Sequence, residues 1–255
     1  MERESDRYGT TEMQRALLPM LKDFDSFCSR NRIQYSLDGG TLLGAVRHQG
    51  FIPWDDDVDI MMDRKNFEKF LSSWRDTDRY YLTRRLWVYR IFRVQDDRAD
   101  RARNSEGRPA IDIFVFDHCP DQKFQKKVKE LAIKVLQGMM HQEIKREGIS
   151  AGYQVCLIAT YAFGRLFPDD FKFKLYDKIS CWGNKNNSNY KSIYNNLFKF
   201  VGREYPFDIL EKTERHVFEE MELPITKKYD EYLTITYGDY MVPPPEEKRI
   251  PEHMG

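Results

Sequence analysis

Apolar residues mark out the front half of the chain as short alternating segments between helices. Met13, Leu17, Met20, Leu21, Phe24, Phe27 and Cys28 recur at helical spacing. Thr11-Glu-Met-Gln14 fits a capping box at the start of that helix, and Pro19 inside it predicts a kink or a delayed start. Ile33, Tyr35 and Leu37 alternate with polar residues as a strand does. Asp38-Gly39-Gly40-Thr41 then reads as a tight turn, with Thr41 capping a short helix over Leu42–His48 and Gly50 at its C′ position. A second strand is predicted over Asp57–Met62. Asp63 caps the next helix, whose Phe67, Phe70, Leu71 and Trp74 share one face. Tyr80–Val94 and Ala110–Phe116 read as strands, with the charged stretch Gln95–Arg108 between them as a mobile loop.

Past Pro120 helical patterns dominate: Phe124–Arg146, Ala151–Phe167 and about Asp170–Cys181. The Asn-rich patch Asn184–Asn196 reads as a loop. Pro224 and Thr226 open a last helix through Tyr237, stopped by Gly238, and the tail from Pro243 is polyproline-like. The expectation is an α+β fold. Residues 1–120 form a core with a small mixed sheet flanked by helices, and residues 121–255 a mainly helical portion packed on that core.

Four aspartates in the five positions Asp55–Asp59 change this from a fold argument to a chemical one. Asp57 and Asp59 stand two apart on a predicted strand, so both side chains leave one face, about 7 Å apart. Two desolvated carboxylates call for a cation between them, and a hard divalent ion completed by substrate phosphates suits an all-oxygen site. An acidic run is more often a solvated loop, but Phe51, Ile52, Trp54, Val58, Ile60 and Met61 enclose this one. A calcium loop starting at Asp55 fails, because its sixth and twelfth positions are Ile60 and Asn66 rather than Gly and Glu. Upstream, Gly39 and Gly40 precede a helix whose N-terminal N–H groups suit an incoming phosphate. Arg47 and His48 end that helix, where a phosphate contact and a favourable interaction with its C-terminal dipole are equally good readings. Asp112, surrounded by apolar residues on a predicted interior strand, supplies a third carboxylate, with Asp117 the weaker alternative. Asp57, Asp59 and Asp112 are therefore the expected catalytic and Mg²⁺-binding residues (Mn²⁺ being the substitute ion), and Asp112 doubles as a candidate base.

Composition narrows the partners. Lys+Arg 41 balance Asp+Glu 41, which argues against a general polyanion or nucleic-acid binder. With 17 Phe, 15 Tyr and 4 Trp the chain has ample core material. Cys28, Cys119, Cys156 and Cys181 stand far apart and read as core residues of a reducing compartment. No leader pattern and no run long enough to cross a bilayer is seen, so a cytoplasmic protein is expected, with peripheral contact through Ala151–Phe167 as the membrane variant.

The segment Leu37-Asp-Gly-Gly-Thr-Leu-Leu-Gly-Ala-Val-Arg-His-Gln-Gly-Phe-Ile-Pro-Trp-Asp-Asp-Asp-Val-Asp-Ile60 resembles the signature of the LicD family, to which the fukutin-type transferases are related. Ile111–Asp117 and the tail from Tyr232 through Pro243 to His253 resemble further family motifs, while Phe124–Tyr205 carries little that matches. The resemblance implies a nucleotidyltransferase-like fold in which Asp57, Asp59 and Asp112 fall on three acidic positions. Asp55 matches the first acidic position of the motif, and Arg93 lies near a position the family often fills with a basic residue. It also implies transfer of a phospho-alcohol, phosphocholine or a polyol phosphate, from a CDP-activated donor to a glycan hydroxyl, with the glycan lipid-linked in one form. Nucleotidyl transfer with pyrophosphate release is the competing enzyme reading. A helical interaction protein with a structural cation site is the non-enzyme one, and a DxD glycosyltransferase accounts for neither Gly39-Gly40 nor Asp112.

Overall fold

A computed structural model of the chain describes residues 4–94, 107–141, 151–185 and 188–251. The mixed helix and strand content is that of an α+β protein. Contacts divide it into two units, one comprising residues 1–83, 89–114 and 208–255, the other residues 84–88 and 115–207.

The first unit begins with helix α1, Thr11–Arg30, which buries Leu17, Met20, Leu21, Phe24 and Cys28 on one face. The helix starts at Thr11 without delay and runs on through Pro19. The residue lies on the exposed face, where water can satisfy the carbonyl that loses its N–H partner. The expected capping box is absent as well. Thr10 is the N-cap and makes no side-chain cap; its hydroxyl donates instead to Pro53 O at 2.6 Å. Strand β1 (Ser36–Leu37) pairs antiparallel with β2 (Val58–Asp63), and helix α2 (Gly39–His48) runs between them. The left-handed residue closing α2 is Gln49, φ 58°, and not Gly50. What Gly50 provides is room, because a Cβ there would stand 2.3 Å from Glu219 Oε1. Helix α3 (Arg64–Ser73) is capped by Asp63, which accepts from Asn66 N at 2.7 Å, as the sequence predicts. The sheet order is β1-β2-β5-β4-β3, with β3 at Tyr80–Arg85, β4 at Val88–Arg93 and β5 at Ala110–His118. The antiparallel β4–β5 register sets Arg90 opposite Asp112.

The second unit contains α4 (Lys123–Met140), α5 (Ala151–Gly164) and α6 (Asp169–Ser180), with β6 (Tyr190–Ile193) pairing the end of β5 and β7 (Tyr205–Pro206) pairing β6. Trp87, Ile133, Leu136, Met140, Tyr176 and Tyr194 form its core. Lys129 is buried there, donating to His118 O at 3.0 Å and Trp182 O at 2.7 Å. The Asn-rich patch thus holds a strand where a loop is expected, since Ser192 and Ile193 point into the interior.

The last 48 residues return to the first unit. An antiparallel pair, β8 (Thr213–Phe218) and β9 (Met221–Thr226), stands where the sequence suggested only a helix opening at Pro224. The helix, α7 (Tyr229–Tyr237), begins after it, and a 3-10 turn occupies Glu246–Lys248 within the tail. Pro224 sits in an edge strand, where its missing N–H costs least. Most of the Gln95–Arg108 segment, the end of the Phe124–Arg146 helix and His253 lie outside the described residues. Among the described residues the cysteines Cys28 and Cys119 are free, and no helix is long and apolar enough to cross a membrane.

Gly44 faces the Gly50 carbonyl so closely that a Cβ would fall 2.4 Å from it. Gly44→Ala is expected to destabilise the protein by about 1–3 kcal/mol, because backbone rather than a flexible side chain must move. Urea unfolding of the variant against the parent measures it, and an unchanged midpoint would contradict the close packing of α2 on the Gly50 turn.

Candidate active site

Everything in the site is arranged around the N-terminus of α2. Asp38 is the N-cap, in extended conformation, and its Oδ1 accepts from Gly39 N at 2.8 Å and from the buried Tyr232 hydroxyl of α7. Burial pushes the Asp38 carboxyl up to about 6, although these two hydrogen bonds pull the other way. Thr41 does not cap the helix as the sequence suggested. Its Oγ1 accepts from Asp59 N at 2.9 Å, and Asp38 N donates to Asp59 O at 2.9 Å, so turn and strand are pinned together.

The two glycines are explained by the carboxylates beside them. Gly39 has φ +51°, and a Cβ on it would come 2.7 Å from Asp59 Oδ2. A Cβ on Gly40 would come 2.7 Å from Asp55 Oδ2. At the helix end where the sequence placed a phosphate cradle, two carboxylates approach the backbone as closely as only glycine allows. The positive end of the helix favours them there.

The acidic loop is fastened from α1. Gln14 Nε2 donates to Ile52 O at 3.1 Å and Asp55 O at 2.8 Å. The residue expected to close a capping box thus holds the aspartate loop. Asp55, Asp56 and Asp57 each bring a carboxylate oxygen into a group whose members lie within 4.8 Å of one another. Asp59, at the start of β2, is pushed well above the usual carboxylate range by burial and by Asp57, Asp112, Asp38 and Asp55. Asp112 accepts from Arg90 Nε at 3.0 Å and Nη2 at 2.6 Å, both to Oδ2. Burial works against the Arg90 charge, yet Asp112, Asp57 and Asp59 outweigh it and its pKa is raised.

Asp55, Asp57, Asp59 and Asp112 therefore act on one another as a single cluster. Among the described residues, the set with ligand atoms in closest mutual reach is Asp55, Asp56 and Asp57, while Asp112 answers to Arg90. Asp117 belongs to the second unit, where it accepts from Asn184. Arg47 donates to His48 Nε2 at 3.0 Å and to Tyr240 O at 2.7 Å. Burial and the Arg47 charge lower the His48 pKa, in keeping with an unprotonated Nε2 that accepts. Arg47 lines a cavity of about 350 Å³ with Gly40, Trp54, Asp55, Tyr237 and Lys248. Arg93 acts on Tyr80, whose hydroxyl donates to Asp23, and Arg90 is the cation that pairs with Asp112. Tyr232, Asp56 and Gln14 lie in the motifs read from the sequence, which give them none of these roles, and Arg90 lies in no motif. Arg90 carried a signal, being a lone charge between apolar neighbours on a predicted strand, the argument that singled out Asp112. For Tyr232 the sequence has no signal of contact with Asp38, 194 residues away.

Residues 32–143 match the LicD/FKTN/FKRP nucleotidyltransferase-domain family. Among its relatives is the lipopolysaccharide cholinephosphotransferase LicD of Haemophilus influenzae (strain ATCC 51907 / DSM 11121 / KW20 / Rd), 28% identical over 95% of both chains. An uncharacterized protein of Rickettsia typhi is 34% identical over 46% of this chain and 34% of its own length. One from Rickettsia prowazekii is 53% identical over 18% and 17%.

A raised folded-state pKa means the folded protein holds the Asp59 proton more tightly than the unfolded chain does. Its contribution to stability therefore falls as pH rises from the ordinary carboxylate range through the raised value. In chelator at pH 7, Asp59→Asn is expected to raise the melting temperature and to flatten its decline with pH. Thermal unfolding from pH 4 to 8 checks this, and a lower melting temperature at pH 7 would refute the crowding.

Proposed function

We propose that the chain is a phosphotransferase that moves phosphocholine or a related polyol phosphate from a CDP-linked donor to a hydroxyl of a surface glycan, releasing CMP on the cytoplasmic side. The observation that carries this reading is the burial of Asp59 and its crowding by Asp57, Asp112, Asp38 and Asp55 at a helix N-terminus, which push its carboxyl well above the usual carboxylate range. The donor set is all carboxylate oxygen and fits a hard divalent cation, Mg²⁺ or Mn²⁺. Asp55, Asp57 and Asp59 would hold it, with Asp112 at the edge of the set. Such an ion neutralises charge on a diphosphate and on the phosphoryl group in transfer. The similarity to the cholinephosphotransferase of Haemophilus influenzae favours phosphocholine as cargo and a glycan as acceptor.

The remaining steps belong to the chain's own side chains. Arg47 and Lys248, in the cavity beside Gly40 and Asp55, offer cationic partners to the donor's anionic part. Gly39 and Gly40 keep the approach to the carboxylates free of side chains. Arg90 fixes one oxygen of Asp112, and Asp112 takes the proton of the attacking hydroxyl. Tyr232 orients Asp38, which in turn caps α2.

The test is release of CMP from CDP-choline, CDP-ribitol, CDP-glycerol or CDP-ethanolamine in the presence of a glycan acceptor and Mg²⁺ or Mn²⁺. One donor is expected to turn over, with loss of activity in EDTA. Asp57→Asn and Asp59→Asn are each expected to lower kcat by roughly a thousand-fold, as loss of several kcal/mol of charge stabilisation implies. Full activity in either variant sinks the assignment. Pyrophosphate from a nucleoside triphosphate would establish nucleotidyl transfer instead, and calorimetric metal binding without donor binding would leave a structural cation site.

A further inference from the structure

The second unit exposes an apolar surface that nothing in the catalytic reading uses. On α4, Phe124 is 76% exposed, Leu131 65%, and Val128 and Val135 38% each. Their spacing of four, three and four residues puts them on one helix face. That face is normally the polar one, since the opposite face already supplies Ile133, Leu136 and Met140 to the core. The stripe leads into α5. Gly138, three residues beyond Val135 on that face, lies against α5, where a Cβ would fall 2.3 Å from Thr160 Oγ1. Gly164 packs as closely on Met139 O. Helix α5 carries no charged residue from Ala151 to Gly164, yet exposes Ile158 and Phe163, and Leu166 just past its end is 74% exposed.

We infer that this surface rests on an anionic lipid bilayer. Charge selects the occupant. The other exposed residues of α4 are Lys123 and Lys127, with Lys126 and Lys134 half-buried, against exposed Asp121 just before the helix and half-buried Glu130, so lysines outnumber acids along the stripe. Apolar side chains flanked by lysines suit the boundary between headgroups and acyl chains, where each lysine also gains from anionic lipid. The α5–α6 connection is less one-sided, carrying Arg165 with Asp169 and Asp170, and Lys172 bridges Asp169 at 2.7 Å. The cationic α4 stripe is therefore the primary contact and α5 its apolar extension. The surface lies on the membrane rather than spanning it, in keeping with the absence of a long apolar helix among the described residues. This inference is independent of the proposed reaction.

Vesicle co-sedimentation of the full chain tests it without any activity measurement. The protein is expected to sediment with vesicles of phosphatidylglycerol and phosphatidylcholine (1:1), less with phosphatidylcholine alone, and less as salt is raised. Phe124→Ser/Leu131→Ser removes two exposed side chains, so the fold is expected to survive, as circular dichroism and the melting temperature will report. Its partition should fall by at least about tenfold, the loss of two membrane-buried large apolar groups. Lys123→Glu/Lys127→Glu should remove the preference for phosphatidylglycerol. No sedimentation of the parent, or equal partition by the folded serine variant, overturns the proposal. A self-association of the parent abolished by the serine changes, with no lipid binding, assigns the face to a second copy instead.

Discussion

The crowding of carboxylates at one helix terminus is the constraint from which the rest of the first unit follows. Two like charges 4.8 Å apart repel by roughly 3.5 kcal/mol at an effective dielectric of 20, and Asp55, Asp56 and Asp57 lie within that distance of one another. The dipole of α2 returns up to about 2 kcal/mol to a charge at its N-terminus. Repulsion therefore wins over the helix alone, and the Arg90 charge is committed to Asp112. A protein that keeps such an arrangement must hold it mechanically, because electrostatics will not hold it.

The fastening is visible in residues whose expected local roles are taken by long-range ones. Thr10, Gln14 and Thr41 are all helix-start residues by type, and none of them caps a helix. They bind Pro53 O, Ile52 O with Asp55 O, and Asp59 N respectively, which fixes the acidic loop to α1 and β2 to α2. Glu219 completes the frame: its N–H donates to Gln49 O at 2.7 Å, and its carboxylate accepts from Phe51 N at 3.1 Å. The β8–β9 turn thus clamps the exit of α2, just as Tyr232 reaches Asp38 at its entry. Both ends of the site's central helix depend on the last 48 residues of the chain.

This explains what could and could not be read from the sequence. Periodicity located α1, α3 and the strands carrying Asp59 and Asp112, because those elements bury an apolar face at a regular spacing. The acidic residues were legible as chemistry because carboxylates are rare among apolar neighbours. What was lost is of two kinds. Strand β6 is only four residues long and sits beside the Asn-rich stretch, and β8–β9 carry Glu and Pro, so tertiary pairing rather than local pattern creates them. The cap assignments at α1 and α2 failed, unlike that of Asp63 at α3, because Thr and Gln were needed elsewhere, and Asp38, buried and bonded to Tyr232, caps α2 itself. Arg90 shows the same limit: it meets Asp112 through the register of β4 with β5, which no local pattern reveals.

Placing Tyr232 in the C-terminal helix and Asp38 at the central one has a consequence for how the site assembles. The Asp38 carboxyl, pushed up to about 6 by burial, is acceptable there because a hydroxyl and a backbone N–H compensate it. Without α7 it would be a buried carboxylate with one partner, next to four others. The helix terminus that organises the glycines and the acidic loop therefore reaches its final form only when the chain's last segment has docked. A centre split across 194 residues of sequence in this way cannot form piecemeal. The carboxylates are brought together by the completed first unit, and the repulsion among them is the cost that its packing must meet.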